Sequence, residues 1–139
     1  MIIKYQTFVD KQLLVVRYEG DFCIDRYKQQ VLDIVETPEW KSINKILVDL
    51  RFVEVEFKIE DIETLFDIKK NIIKKEHISV QLVDKPKITA LSHLLQTEFN
   101  NFDLTTEYCS TIKKAIELLD LNSSEEDFET ILNRLEHTF

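Results

Sequence analysis

Glycine is almost missing from this chain: Gly20 stands alone among 139 residues. Phosphate-cradling P-loops, dinucleotide-binding fingerprints and nucleophile elbows each need several glycines, for close backbone approach or for strained turns. None can be written with one, so those nucleotide-binding and hydrolase classes are excluded. Cysteine is scarce too. Cys23 and Cys109 lie far apart with no CxxC spacing, which fits reduced thiols in a cytoplasmic protein. No apolar run approaches the roughly 20 residues of a membrane span. The opening Met1-Ile2-Ile3-Lys4-Tyr5-Gln6 reads directly into an alternating strand, without the basic and apolar regions of a signal peptide. An excess of positive charge is also absent. Acidic residues outnumber basic ones 26 to 18, for a net charge of −8. Nucleic-acid binding needs a dense basic surface, so nucleic acid is not an expected partner.

What is present is the patterning of one globular domain over residues 1–139, 44% hydrophobic and 32% charged. Residues 2–8 and 13–19 alternate as two strands of a hairpin, the first half-exposed at a sheet edge. Gly20-Asp21 breaks the second. A helix over about 24–36 keeps Ile24, Tyr27, Val31, Ile34 and Val35 on one face, and Thr37-Pro38 stops it. Ile46-Leu47-Val48-Asp49-Leu50 is apolar on both sides until its aspartate, as a central strand covered on both faces must be. The pattern continues as a helix over about 59–75, a strand over 78–83 and a helix to about 99, with Asp84 as its cap and Pro86 in its first turn. A last strand spans about 104–108, and a helix opens at Cys109 or Ser110. Ser123 and Glu126 form a capping box for a final helix, 124–137. Strands alternating with helices imply an α/β fold: a mixed, mostly parallel sheet of about five strands, its N-terminal edge strand antiparallel, joined by βα crossovers.

The strand hairpin, the Gly20-Asp21 break, the following helix and an apolar strand ending in Asp49-Leu50-Arg51 resemble the STAS family, the anti-sigma-factor-antagonist-like fold. Leu104-Thr105-Thr106-Glu107-Tyr108-Cys109-Ser110-Thr111 and the Ala115-containing helix after it are similar to the family's closing strand, small-residue cap and helix. The resemblance covers about residues 1–120, with the last helix at its margin, and points to the small bacterial STAS-like proteins. It implies a regulatory protein-interaction module. In the family's antagonists a serine is phosphorylated in a turn after the central strand. The equivalent segment here, Arg51 to Asp61, contains no serine, threonine or glycine, so a phosphoswitch is not expected in that place.

Ligands of open α/β sheets gather beyond the carboxyl ends of the strands. Asp49 is the most interesting residue there. It can be a carboxylate poised by burial for cation or acid–base work, or it can simply pair with Arg51 or Lys85. Loop aromatics, Phe22, Trp40, Phe52, Phe57 and Phe102, are either lids on the core or an exposed patch for a partner. The partner or ligand surface expected from these features is Phe22, Asp49, Arg51, Glu54, Glu60 and Asp84. His77, His93 and His137 lack metal-site spacing, and Lys69, Lys70, Lys74 and Lys75 read as cations complementing a helix C-terminus. The leading expectation is therefore a non-enzymatic interaction module with a protein partner, self-associating through a sheet edge or the last helix, with no cofactor or metal. A small-ligand or lipid-binding domain is the alternative, and an enzyme built around Asp49 the least favoured.

Overall fold

A strand that is apolar on both faces has to be covered on both, and the segment around Ile46-Leu47-Val48 lies in the interior of the sheet accordingly. The computed structural model describes residues 1–56, 58–101 and 104–139. In chain order these form β1 (Ile2–Phe8), β2 (Leu13–Asp21), α1 (Ile24–Val35), β3 (Lys45–Glu54), α2 (Ile59–Asp67), a π-helical segment (Ile68–Ile73), β4 (Ile78–Leu82), α3 (Pro86–Asn100), β5 (Thr106–Cys109), α4 (Ile112–Leu118), α5 (Glu125–Asn133) and β6 (His137–Thr138). The sheet order is β5-β4-β3-β2-β1-β6. Strands β2 to β5 are parallel, and β1 runs antiparallel to β2. The mostly parallel sheet with an antiparallel N-terminal strand is therefore the architecture that forms. The two-residue β6 adds a sixth strand outside β1, so β1 is partly covered along its outer edge.

Two cores flank the sheet. Leu13, Val15, Leu47, Val80 and Leu82 face α4 and α5, packing on Ala115, Leu119, Phe128 and Leu132. Leu14, Val16, Tyr18 and Ile46 face the side of α1 and α3, packing on Ile34 and Ile88. Alternation along each strand sends neighbours to opposite cores.

Several boundaries differ from the sequence reading, each for a local reason. β2 continues through Gly20 and Asp21 because β3 pairs with both of them, and Gly20 takes the positive φ of +85°. The helix expected over 59–75 is α-helical only to Asp67 and then widens into the π-helical segment. Asp84 does not cap α3: Lys85 occupies the cap position with Pro86 after it. Thr111, not Cys109 or Ser110, caps α4 by accepting from the Lys114 amide at 3.2 Å. Ser124, not Ser123, caps α5, accepting from Asp127 N–H at 3.1 Å, while Ser123 Oγ accepts from Lys11 Nζ at 3.5 Å. α5 ends at Asn133, and the chain then turns back to form β6.

α5 docks on its own sheet through Phe128, which is completely buried. Phe128→Ala is expected to cost about 3–5 kcal/mol through lost burial and a residual cavity. Urea denaturation followed by circular dichroism reads this as a lower midpoint.

Candidate functional site

The carboxyl ends of β2 and β3 are organised by one buried carboxylate. Asp49 is completely buried on the α4–α5 side. Its Oδ2 accepts from Arg17 Nε at 2.9 Å and Arg51 Nη2 at 3.0 Å. Its Oδ1 accepts from the Arg51 backbone N–H at 3.1 Å and Arg51 Nε at 2.9 Å. A carboxylate offers about four acceptor positions, and all are occupied here by the chain's own donors. The hydrogen bond to Asp49 raises the Arg51 guanidinium above its ordinary value, against the opposing effect of burial. Phe52 lies over both cations, its ring centroid 4.5 Å from Arg17 Cζ and 5.5 Å from Arg51 Cζ.

The same place carries a β-bulge. Arg17 pairs with Asp49, but Glu19 pairs with Phe52, so β3 holds one residue more than β2. The extra residue inverts the side-chain parity. Leu47 and Asp49 face α4–α5, whereas Val53 and Val55, also odd-numbered, return to the opposite core. Glu54 is left outside, where Lys85 Nζ donates to its Oε1 at 2.6 Å and holds its carboxyl below the usual range.

Of the six residues expected to form a surface, Asp49, Arg51, Glu54 and Asp84 gather at this edge. Asp84 is exposed and close enough for its charge to act on Arg51. Glu60 is exposed in the first turn of α2, where its charge complements the helix dipole. Phe22 departs from the group. Its backbone N–H donates to the Glu54 carbonyl at 2.9 Å, but its ring packs 6.0 Å from Tyr18 and 5.9 Å from Tyr27 and lines the interior. Phe52 is on β3 rather than in a loop and is half-exposed, and Ile59 is 78% exposed. Trp40 is partly buried against the core, and Phe57 and Phe102 lie outside the described residues.

A second constellation was not anticipated. Between the sheet and α1, α3 and the π-helical segment lies a cavity of about 110 Å³. Its floor includes His77, Ser79 and Gln81, which alternate with the apolar Ile78, Val80 and Leu82 that face the other core. Gln30 from α1, Lys69 from the π-helical segment and Ser92 from α3 complete its polar lining, and all six are buried. Among the described residues, Gln30 Nε2, His77 Nε2 and Gln81 Oε1 have no hydrogen-bond partner. Lys69 Nζ donates to Thr106 Oγ1 at 2.9 Å and lies 4.9 Å from the Phe99 ring centroid. Burial lowers the Lys69 ammonium to about 7. Burial, reinforced by the charges of Lys69 and Lys75, lowers His77 to about 4, against a backbone hydrogen bond that acts the other way. Lys69 thus corrects the reading of its cluster as dipole-complementing cations: three and four residues after Phe66 and Leu65, it falls on the inward face, while Lys70 and Lys74 stay exposed. Among the described residues no group of acids, histidines and cysteines could hold a metal ion, and no helix is long and apolar enough to cross a membrane.

No family model and no curated protein matches the sequence. Among solved structures, the chain is similar to the anti-sigma factor antagonist SpoIIAA in its unphosphorylated form, with a TM-score of 0.54 and 8% identity, over 85% of this chain and 97% of that one.

The fold is STAS-like.

In this STAS-like chain the sequence reading lacked Arg17, Gln30 and Gln81, and it placed Lys69 at a helix end instead of in the cavity. For the cavity a signal existed: polar residues alternating with apolar ones in His77-Ile78-Ser79-Val80-Gln81-Leu82, on a strand paired on both sides. Such a strand should be apolar on both faces.

Removing the central carboxylate leaves two guanidinium groups facing each other. Asp49→Ala is expected to destabilise the domain by about 3–5 kcal/mol, whereas Asp49→Leu combined with Arg17→Met and Arg51→Leu costs much less. Chemical denaturation of the three proteins separates these outcomes. Lys69 carries a pH dependence of definite sign. Between its folded value near 7 and its ordinary value of 10.5, the unfolded chain binds the proton and the folded chain does not. Stability therefore rises with pH from about 7 towards 10 and is lost as pH falls through 7. Lys69→Met is expected to flatten this slope in denaturation midpoints taken across that range.

Proposed function

We propose that this chain is a non-enzymatic regulatory interaction module of STAS-like fold that works in the cytoplasm. It binds a protein partner without a phosphorylatable serine after its central strand. The observation carrying this reading is the pair of exposed apolar side chains, Phe52 and Ile59, that bracket the β3–α2 connection. Glu54, Glu56, Glu60 and Asp61 lie in the same stretch as these two side chains, while Arg17 and Arg51 sit against the Phe52 ring, so the fitting partner presents an apolar contact with a basic rim on the α2 side. The saturated acceptor positions of Asp49 support a structural, non-catalytic role for that carboxylate. Asp49 and Arg51 hold the surface from beneath, Glu54 and Glu60 supply its charge, and Asp84 lies beside it. Phe22 contributes from the inner side, against the strand end that carries Glu54.

The test compares the tagged chain with its Ile59→Asp, Glu60→Lys double variant, each expressed at native level and purified with its bound proteins. Both substitutions are on an exposed helical turn and are expected to leave the melting temperature nearly unchanged. A stoichiometric partner recovered with the unaltered chain should fall by about tenfold with the variant. Equal recovery, or recovery of a second copy of this chain alone from both, overturns the reading.

A further inference from the structure

We propose that His77 is an acid-sensitive latch on the connector between the π-helical segment and β4, and that its protonation lifts this segment off the sheet. The latch lies apart from the β3–α2 surface, and its test does not rest on that reading. The connector, residues 74–77, is folded tightly on itself. Lys74 holds a positive φ of +60°, a conformation uncommon for a residue with a side chain. The Lys75 amide donates to the Ile73 carbonyl at 2.7 Å. The Lys75 ammonium donates to the Trp40 carbonyl and lies 4.1 Å from the Trp40 ring centroid. His77 closes the turn: its Nδ1 lies 2.8 Å from the Lys75 carbonyl oxygen and carries the ring proton there. The other ring nitrogen, Nε2, is then a buried acceptor, without a hydrogen-bond partner among the described residues. The residue as a whole is only 7% exposed.

A proton added at Nε2 creates a buried donor without an acceptor and a charge without a counter-charge. The surroundings oppose it further. Lys69, on the π-helical segment, and Lys75, on the connector, both act on His77 through their positive charge. The cavity that His77 lines holds two more titratable groups, Tyr18 on β2 and Tyr27 on α1, both neutral in acid. β3, β4, α2 and α3 line it with uncharged residues. Glu76, the chain neighbour of His77, is exposed. Lifting the π-helical segment lets water reach the ring and parts it from Lys69, whose Nζ ties the segment to Thr106 of β5. Burial and the two lysine charges hold the closed His77 at about 4, below its ordinary 6.5 and against the backbone hydrogen bond. Between these values the open form binds the proton and the closed form does not. Opening therefore grows as pH falls from 6.5 towards 4 and levels off below that. Lys69, at about 7 when buried, is charged in both forms across this window and adds no slope of its own.

The experiment follows hydrogen exchange of the full chain by mass spectrometry at pH 7 and pH 5, with labelling times scaled for the intrinsic effect of pH. Opening of residues 68–77 is expected to be about twentyfold more frequent at pH 5, while α4 and α5 keep their protection. His77→Gln, which retains a side-chain donor and does not titrate, is expected to lose this difference. Acceleration that extends equally to α4 and α5, or none in residues 68–77, overturns the latch. The same acid response in His77→Gln overturns it too. NMR titration of the His77 ring in the unaltered chain gives a second reading that does not depend on the variant folding. A midpoint well below 6.5 supports the latch, and one at 6.5 or above overturns it.

Discussion

The Asp49 carboxylate fixes where the central strand leaves the regular sheet. A parallel ladder with strict alternation would send Val53 and Val55 to the same side as Leu47. They pack on the other side instead, because the extra residue of β3 at Leu50-Arg51 inverts the parity beyond Asp49. That bulge frees polar backbone and turns two arginines towards one place. Asp49 answers both, accepting from the Arg51 amide and from both guanidinium groups. Buried ion pairs seldom add much net stability compared with apolar residues of equal volume. Their value here is geometric: one charge defines the register of a strand whose end borders both candidate sites.

The two faces of the sheet consequently solve different problems. Against α4 and α5, β2, β3 and β4 present Leu13, Val15, Leu47, Val80 and Leu82, a densely apolar layer interrupted at the strand ends by the Arg17–Asp49 pair. Against α1 and α3 the same β4 presents Ser79 and Gln81, with His77 just before it. Burying an unpaired amide or imidazole costs on the order of 1–3 kcal/mol, and Lys69 adds the desolvation of an amine. A sequence selected for stability alone would replace such residues with aliphatic ones. Local rules broken together, on one wall of one cavity, mark a place where something other than packing is being served.

The likeness to SpoIIAA at 8% identity is a likeness of pattern. A two-residue period on strands, a helical period between them and a both-sided apolar centre suffice to set the element order. None of these requires a particular side chain. The chemistry at the strand ends is free to differ, and between Arg51 and Asp61 it carries acids and apolar residues where a hydroxyl would be needed for phosphorylation.

That division also explains which parts of the molecule could be read from sequence. Element order and sheet type follow from periodicity, and the sequence showed Asp49 as the one charge in an apolar run. Its pairing with Arg51 is local. Its pairing with Arg17 spans 32 positions and follows only from the register of β2 against β3. The bulge was illegible for the same reason, since it is a property of two strands. Cap positions shifted by one or two residues because Ser123 and Ser124 are equally good caps, and only the contact with Lys11 separates them. The π-helical segment leaves no propensity signature, but Lys69, four residues after buried Leu65 and three after Phe66, falls on the inward stripe of the helix in any case. The polar stripe on β4 was legible in principle. Its meaning depended on knowing that β4 has a strand on each side and helices over both faces. A polar residue on a half-exposed strand is solvated and unremarked, while the same residue on an interior strand must find a partner in the fold or in a ligand.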